Sequence, residues 1–197
     1  MIKIIGGEYR SRKLLTPENE SVSRPYGSRV KESLFNLLRG WFEGATVIDL
    51  FAGVGTMGLE CASRGAARVF MVEKDRRVLD LLQANIEALG CGDRATAVGS
   101  DVLTMTWMAR APRPADLMFV DPPYALMEDD RNRNRMLDVI ARSRPLMGDK
   151  GFVILRSPVR AADGDFSIPD FAGPEEHSYS PEMNVLLYAP SGAGSAT

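Results

Sequence analysis

A glycine-rich turn divides an apolar run from a helical pattern near the first third of this chain: Asp49-Leu-Phe-Ala-Gly-Val-Gly-Thr-Met-Gly58. Gly53, Gly55 and Gly58 keep the GxGxxG spacing, Thr46–Leu50 ahead of them is a short strand-like run, and Met57–Ser63 begins a helix. Glu73 follows Gly53 by 20 residues and ends the next apolar run, Arg68–Val72. Strand, glycine turn, helix, strand and terminal acid together form a βαβ unit suited to a nucleoside. Glycine lets the backbone approach the ligand, and the acid can accept hydrogen bonds from ribose hydroxyls. A chain built around such a unit is committed to a parallel sheet, because parallel neighbours need a crossover helix between them.

The alternation continues downstream. Arg76–Leu89 carries Val78, Leu81, Leu82, Ile86 and Leu89 on one helical face, and Thr96–Val98 is a weak third strand before Asp101. Leu117–Val120 enters Asp121-Pro122-Pro123-Tyr124, Arg135–Ser143 is helical, and Gly151–Leu155 is a fifth strand. Short apolar strands separated by helices predict a mainly parallel sheet covered on both faces. Past Pro158 the pattern thins until Asn184–Tyr188, read as the last strand, and the tail from 191 to 197 is expected to be disordered. Upstream, Met1–Leu15 reads as a strand pair turning at Gly6-Gly7. A helix then starts with Ser28 as N-cap and lays Val30, Leu34, Leu37, Leu38, Trp41 and Phe42 on one face. The whole of 1–190 is expected to be one domain, with a basic hairpin and helix over 1–42 and a Rossmann-like core over 43–190.

Charge is unevenly spread. Residues 1–40 hold eight basic against four acidic residues, while the other 157 hold 16 against 22. A basic arm on an acidic body suits a protein that grips phosphates at one end, and equally an ordinary solvated surface; Arg10, Arg12, Lys13, Arg24 and Arg29 are the candidate phosphate contacts. Two cysteines, Cys61 and Cys91, make neither a disulfide framework nor a structural zinc site, and Cys61 reads as a buried, inert thiol. His177 is the only histidine, so metal chemistry and histidine triads are poor candidates and no metal is expected. No apolar stretch reaches the roughly 20 residues that cross a bilayer. With no signal-peptide pattern at the start, a cytoplasmic location is expected, without membrane attachment.

The choice of nucleoside turns on Asp49. A dinucleotide places its pyrophosphate against the helix N-terminus, where an acid just ahead of the glycines would repel it. S-adenosylmethionine has no phosphate; its sulfonium and ammonium suit an acidic strand end. Asp101 is placed to accept from the adenine amino group, or to cap the helix expected over Val102–Trp107. The candidate cofactor residues are therefore Asp49, Gly53, Gly55, Glu73 and Asp101.

Asp121-Pro122-Pro123-Tyr124 lies at the carboxyl end of the fourth strand, the edge where open α/β sheets bind ligands. An aryl amine is a weak nucleophile because its lone pair is delocalised into the ring. If the Asp121 carboxylate and the Pro122 carbonyl each accept one of its N–H bonds, the lone pair is aimed at the incoming methyl, while Tyr124 stacks on the base. Alignment of this kind supplies several kcal/mol without a strong base.

The strings IIGGEYRSRKL (4–14), RPYGSRVKESLFNLL (24–38), IDLFAGVGTMGLECASRGA (48–66) and VDPPY (120–124) resemble bacterial 16S rRNA (guanine(966)-N(2))-methyltransferases of the RsmD type. The likeness runs from Ile4 to about Leu155. DLFAG and DPPY mark amino-methyltransferases in general; the basic hairpin and SRGA at Ser63–Ala66 narrow it to this family. The resemblance implies a seven-stranded methyltransferase fold whose last strand is antiparallel. It also implies Asp49, Gly53 and Gly55 around the methionine part, Glu73 on ribose, Asp101 near adenine, and Asp121, Pro122, Pro123 and Tyr124 at the target base. Tyr26 stands where the family usually has Thr, and Arg156 where the fifth strand often ends in an acid.

The expected activity is methyl transfer to guanine N2 in small-subunit rRNA, with rRNA or a partly assembled subunit as partner and a monomeric enzyme. DNA adenine N6 and protein glutamine are alternative acceptors. The absence of a separate target-recognition domain counts against the first, and Asp rather than Asn at 121 against the second. A nicotinamide-dependent dehydrogenase would leave the Asp121–Tyr124 motif unexplained.

Overall fold

The computed structural model describes residues 2–17 and 27–191, so Arg24 and the tail from 192 lie outside the described residues. Seven strands form one sheet: β1 (Thr46–Leu50), β2 (Arg68–Glu73), β3 (Ala95–Gly99), β4 (Ala115–Val120), β5 (Met147–Ser157), β6 (Phe171–Ser180) and β7 (Met183–Pro190). Their order is β3-β2-β1-β4-β5-β7-β6. The first five are mutually parallel, and β7 runs antiparallel to both β5 and β6.

Alternation along the strands sends side chains to two cores. Val47, Val69, Met71, Leu117, Phe119 and Ile154 face one side, packed under α1 (Ser28–Leu37), α2 (Gly58–Ser63) and α3 (Arg76–Leu89). Ile48, Leu50, Phe70, Val72, Met118 and Val120 face the other, against α5 (Asp130–Arg142) and the buried Trp107. Strands with both faces covered read as continuous apolar runs, and all five residues of β1 are buried, Asp49 among them. α4 (Ala125–Glu128) is a single turn after Tyr124.

Helix α3 occupies its sequence-based bounds because both ends are specified. Asp75 accepts from the amides of Arg77 and Val78 at 2.9 and 3.1 Å, and Gly90 closes the other end at φ 70°. Other expectations need correction. Gly27, not Ser28, is the N-cap of α1, which ends at Leu37 rather than continuing to Phe42. Phe35 turns inward in place of Leu37 and Trp41, which stay 44% and 39% exposed. Helix α5 starts at Asp130, five residues before the apolar pattern begins, because the Asp129 side chain caps Asn132 N at 2.9 Å. The segment after Asp101 is two short 3-10 turns, broken where Met105 takes φ 59°.

The sequence pattern does not mark strand β6. It is an edge strand with mixed exposure and contains Gly173-Pro174, a composition that reads as loop but is tolerated where one side has no partner. The N-terminal pair is a hairpin held by one bridge, Lys3 to Lys13, with Ile4 N bonding Arg12 O at 3.0 Å and Ser11 N bonding Ile4 O at 2.9 Å. Its Ile4, Tyr9 and Leu14 join the core under α2 and α3. Among the described residues no helix is long and apolar enough to cross a membrane.

Candidate active site

Four acids stand at the carboxyl ends of adjacent parallel strands. Asp49 lies in β1, Glu73 ends β2, Asp101 follows β3 and Asp121 follows β4. The register aligns them: Leu50 pairs with Val72 and Val120, and Glu73 with Gly99. β1 sits between β2 and β4, so this edge is the point where strand order reverses.

Asp49 is 1% exposed, and its Oδ2 accepts the Gly58 amide at 2.8 Å, which ties the strand end to the first turn of α2. Burial pushes its carboxyl up to about 8, against the pull of the Gly58 amide, with Asp121 and Glu73 adding repulsion. Among the described residues it has no ion pair. A buried acid in that condition favours the arrival of a cation.

Glu73 splits its two oxygens between Gly53 N, at 3.0 Å, and Asp75 N, at 2.8 Å. It thereby fixes the glycine turn as well as the start of α3. An ionised carboxylate has about four acceptor sites, so these amides do not exhaust it. Asp101 Oδ1 caps Leu103 N at 3.0 Å, which establishes the capping role weighed for it.

The glycines differ. Gly53 has φ +57°, and a Cβ there would meet nothing within 4 Å, so its outer face is open. Gly55, at φ +92°, would drive a Cβ to 2.6 Å from the side chains of Leu59 and Leu82. Gly58 would meet Met71 Sδ at 2.6 Å. The requirement at 55 and 58 comes from packing of the turn on α2, α3 and β2; only Gly53 faces open space.

In the turn after β4, Asp121 N bonds Leu50 O at 3.3 Å, and the Pro123 carbonyl is taken by Leu126 N at 2.8 Å. Tyr124 O accepts from Met127 and Glu128. No backbone amide of the described residues takes the Pro122 carbonyl. Asp121 and Tyr124 are half-buried. Burial raises the Asp121 carboxyl to about 6, opposed by the Arg156 guanidinium, whose Nε pairs with Asp121 Oδ1. The Arg156 guanidinium carbon also lies 5.3 Å from the centroid of the Tyr124 ring. In the sequence Arg156 is only a departure from the family pattern; its place opposite Asp121 follows from the pairing of β4 with β5.

The basic candidates lie apart from this edge in the sequence but are tied to it. Arg10, Arg12 and Lys13 are exposed on the hairpin, and Arg29 is exposed on α1. Arg12 Nη2 donates to Ala88 O at 2.6 Å, at the end of α3. Asn85, 1% exposed, accepts from Leu15 N at 2.7 Å and donates to Leu15 O and to Val54 O in the glycine turn, at 3.1 and 3.0 Å. The chain therefore leaves the hairpin fastened beside the glycine turn. In the sequence Asn85 resembles any polar residue within a helical pattern. No cluster of three or more His, Cys, Asp or Glu suited to a metal occurs among the described residues.

The sequence profile of the family described as conserved hypothetical protein 95 matches residues 2–165. The chain belongs to this family, the RsmD type. It is 41% identical over 133 residues to the ribosomal RNA small subunit methyltransferase D of Escherichia coli K12, a stretch covering 66% of this chain and 65% of that relative's length. It is 36% identical over 124 residues to the protein of the same name from Haemophilus influenzae, covering 62% of this chain and 64% of the relative. The chain thus spans slightly under two thirds of these relatives in sequence. A solved structure, described as putative methyltransferase yhhF from Escherichia coli, superposes with a TM-score of 0.78 at 30% identity, covering 96% of this chain and 98% of that one. This RsmD-type chain has the Rossmann-like class I S-adenosylmethionine-dependent methyltransferase fold, and family and fold imply a methyl donor.

Proposed function

We propose that the chain is an S-adenosylmethionine-dependent methyltransferase that modifies the exocyclic N2 of a guanine in small-subunit rRNA. The observation that carries this reading is the Asp121–Tyr124 turn standing one strand away from the buried Asp49 and the open face of Gly53. The names of its rRNA-modifying relatives supply the substrate class.

The residues fit the donor. Asp49 meets its positive methionine end, Gly53 leaves room for its backbone approach, Glu73 retains acceptor capacity for the ribose hydroxyls, and Asp101 stands toward adenine. Gly55 contributes by shaping the turn. When bound, S-adenosylmethionine would supply an electrophilic methyl group whose bond to sulfur breaks with the electron pair left on the departing neutral thioether.

Asp121 and the Pro122 carbonyl hold the two amino hydrogens, turning the nitrogen lone pair out of the ring plane. Pro123 stiffens the turn, and Tyr124 stacks on the base. The proton lost from nitrogen leaves along its bond to the Asp121 carboxylate. A carboxyl titrating near 6 takes that proton more readily than an ordinary one. The target base must be unstacked to enter, so a loop nucleotide or one exposed during subunit assembly is the substrate. Arg10, Arg12, Lys13 and Arg29 hold phosphates around it, with Arg24 assigned the same role from sequence. On this reading the enzyme meets rRNA in the cytoplasm. Mapping modified nucleotides in rRNA from cells lacking the protein tests it: one N2-methylguanine is expected to disappear from the small subunit, and an unchanged map would refute it.

A further inference from the structure

Arg156 is 5% exposed and stands on β5 immediately after Leu155, whose register partner is Val120 of β4. The pairing of these two parallel strands brings its guanidinium to the first residue beyond β4, Asp121. Its Nε pairs with Asp121 Oδ1, and its guanidinium carbon lies 5.3 Å from the Tyr124 ring centroid. One planar cation therefore touches both ends of the motif that frames the acceptor.

We propose that Arg156 is a positioning residue for methyl transfer: it holds the Asp121 carboxylate charged and in one rotamer, and backs one face of Tyr124 so that the opposite face receives the base. This rests on the reading of Asp121 and Tyr124 as the acceptor site. The titratable groups facing Asp121 are Arg156 from β5 and Asp49 from β1, with Tyr124 on its own turn. Neither Asp49 nor the Tyr124 ring brings positive charge to it, so Arg156 is the one of these groups that favours the carboxylate form. An amino group needs an acceptor there. A protonated Asp121 would turn one acceptor oxygen into an O–H donor and could no longer take the departing proton. Guanidinium is suited to both tasks, because its plane stacks on an aromatic ring while its edge donates to a carboxylate.

Carbon-detected titration of carboxyl groups in the intact protein tests this without reference to turnover, with the Asp121→Asn spectrum identifying the Asp121 signal. Arg156→Met is expected to raise the Asp121 midpoint by about 1–3 pH units, the usual influence of an adjacent cation. Arg156→Lys is expected to restore most of that shift but not the affinity for a guanine-containing RNA loop, since an ammonium does not replace the planar stack. In single-turnover methylation, Arg156→Met should be slow at pH 7 and speed up as pH rises through the new midpoint, whereas the native rate should already be level. If Arg156→Met does not fold, the Arg156→Lys protein decides the matter through its loss of RNA affinity with a nearly native Asp121 midpoint. An Asp121 midpoint moved by less than about 0.3 unit in folded Arg156→Met, or full RNA affinity in Arg156→Lys, would overturn the proposal. Absence of guanine methylation by the native protein would instead overturn the substrate assignment, leaving the titration to judge the role of Arg156.

Discussion

Lys31 Nζ lies 2.9 Å from Glu60 Oε2, with the two side chains 3% and 0% exposed. Glu60 also accepts the amides of Ile5 and Gly6, each at 2.8 Å, and Arg64 Nε at 3.0 Å. One buried carboxylate on α2 thus fastens the N-terminal hairpin and α1 to the core beneath the glycine turn. Burial lowers the Lys31 ammonium's affinity for its proton, and Glu60 works against that.

Removing Glu60 leaves a buried cation and two amides without partners. Glu60→Ala is expected to cost about 3–5 kcal/mol, the scale of breaking a buried ion pair from one side. For a domain of this size that corresponds to a melting temperature lower by on the order of 10 °C. Lys31→Met should cost less, because Glu60 keeps Arg64 and both amides. Urea unfolding of the two variants gives the comparison, and equal losses would contradict the assignment of Glu60 as the hub.

Neither residue was legible in the sequence. In the sequence Lys31 is one of eight basic residues within 1–40, and nothing marks Glu60 apart from its place in the helical stretch Met57–Ser63. Their meaning depends on which face of α1 meets α2, and α1 is set by Phe35 pointing inward where periodicity favoured Leu37 and Trp41. By contrast the acids at the strand ends were legible, since a short apolar run ending in Asp or Glu carries both its burial and its direction. The pairing of Asp121 with Arg156 needs strand register, which a single sequence does not specify, and β6 was hidden by edge-strand composition.

Asp49 makes stability depend on pH with a definite sign. Its carboxyl moves from the ordinary 3.8 to about 8 on folding, so the folded chain binds the proton more tightly than the unfolded one. Its contribution is fully present below the unfolded value and is lost as pH rises toward 8, by at most about 1.4 kcal/mol per pH unit. Asp49→Asn should therefore flatten stability between pH 6 and 8, above the Asp121 midpoint of about 6, and exceed the native protein most at the upper end. The same substitution should weaken S-adenosylmethionine. Denaturant curves at several pH values and calorimetry check the two halves.

The hairpin cations are expected to separate into two kinds. Arg10 and Lys13 are exposed, whereas Arg12 also holds the carbonyl of Ala88. Replacing Arg10 and Lys13 with Ala should reduce the salt dependence of RNA binding by about 1.4–1.8 in log–log slope, two phosphate contacts, with native stability and cofactor affinity. Arg12→Ala should lose a similar single increment and, in addition, some stability. Filter binding across salt concentrations, paired with thermal unfolding, distinguishes them; an unaltered slope would make the arm ordinary surface.

The most direct measurement is single-turnover transfer of a labelled methyl group to small-subunit rRNA or a partly assembled subunit, followed by digestion and identification of the labelled nucleoside. N2-methylguanosine is expected as the product. Asp121→Ala should slow its formation by at least roughly 100-fold while binding S-adenosylhomocysteine nearly as well as the native protein, because the carboxylate acts on nitrogen in the transition state rather than on the cofactor. Label in N6-methyladenosine, or near-native transfer by folded Asp121→Ala, would contradict the account.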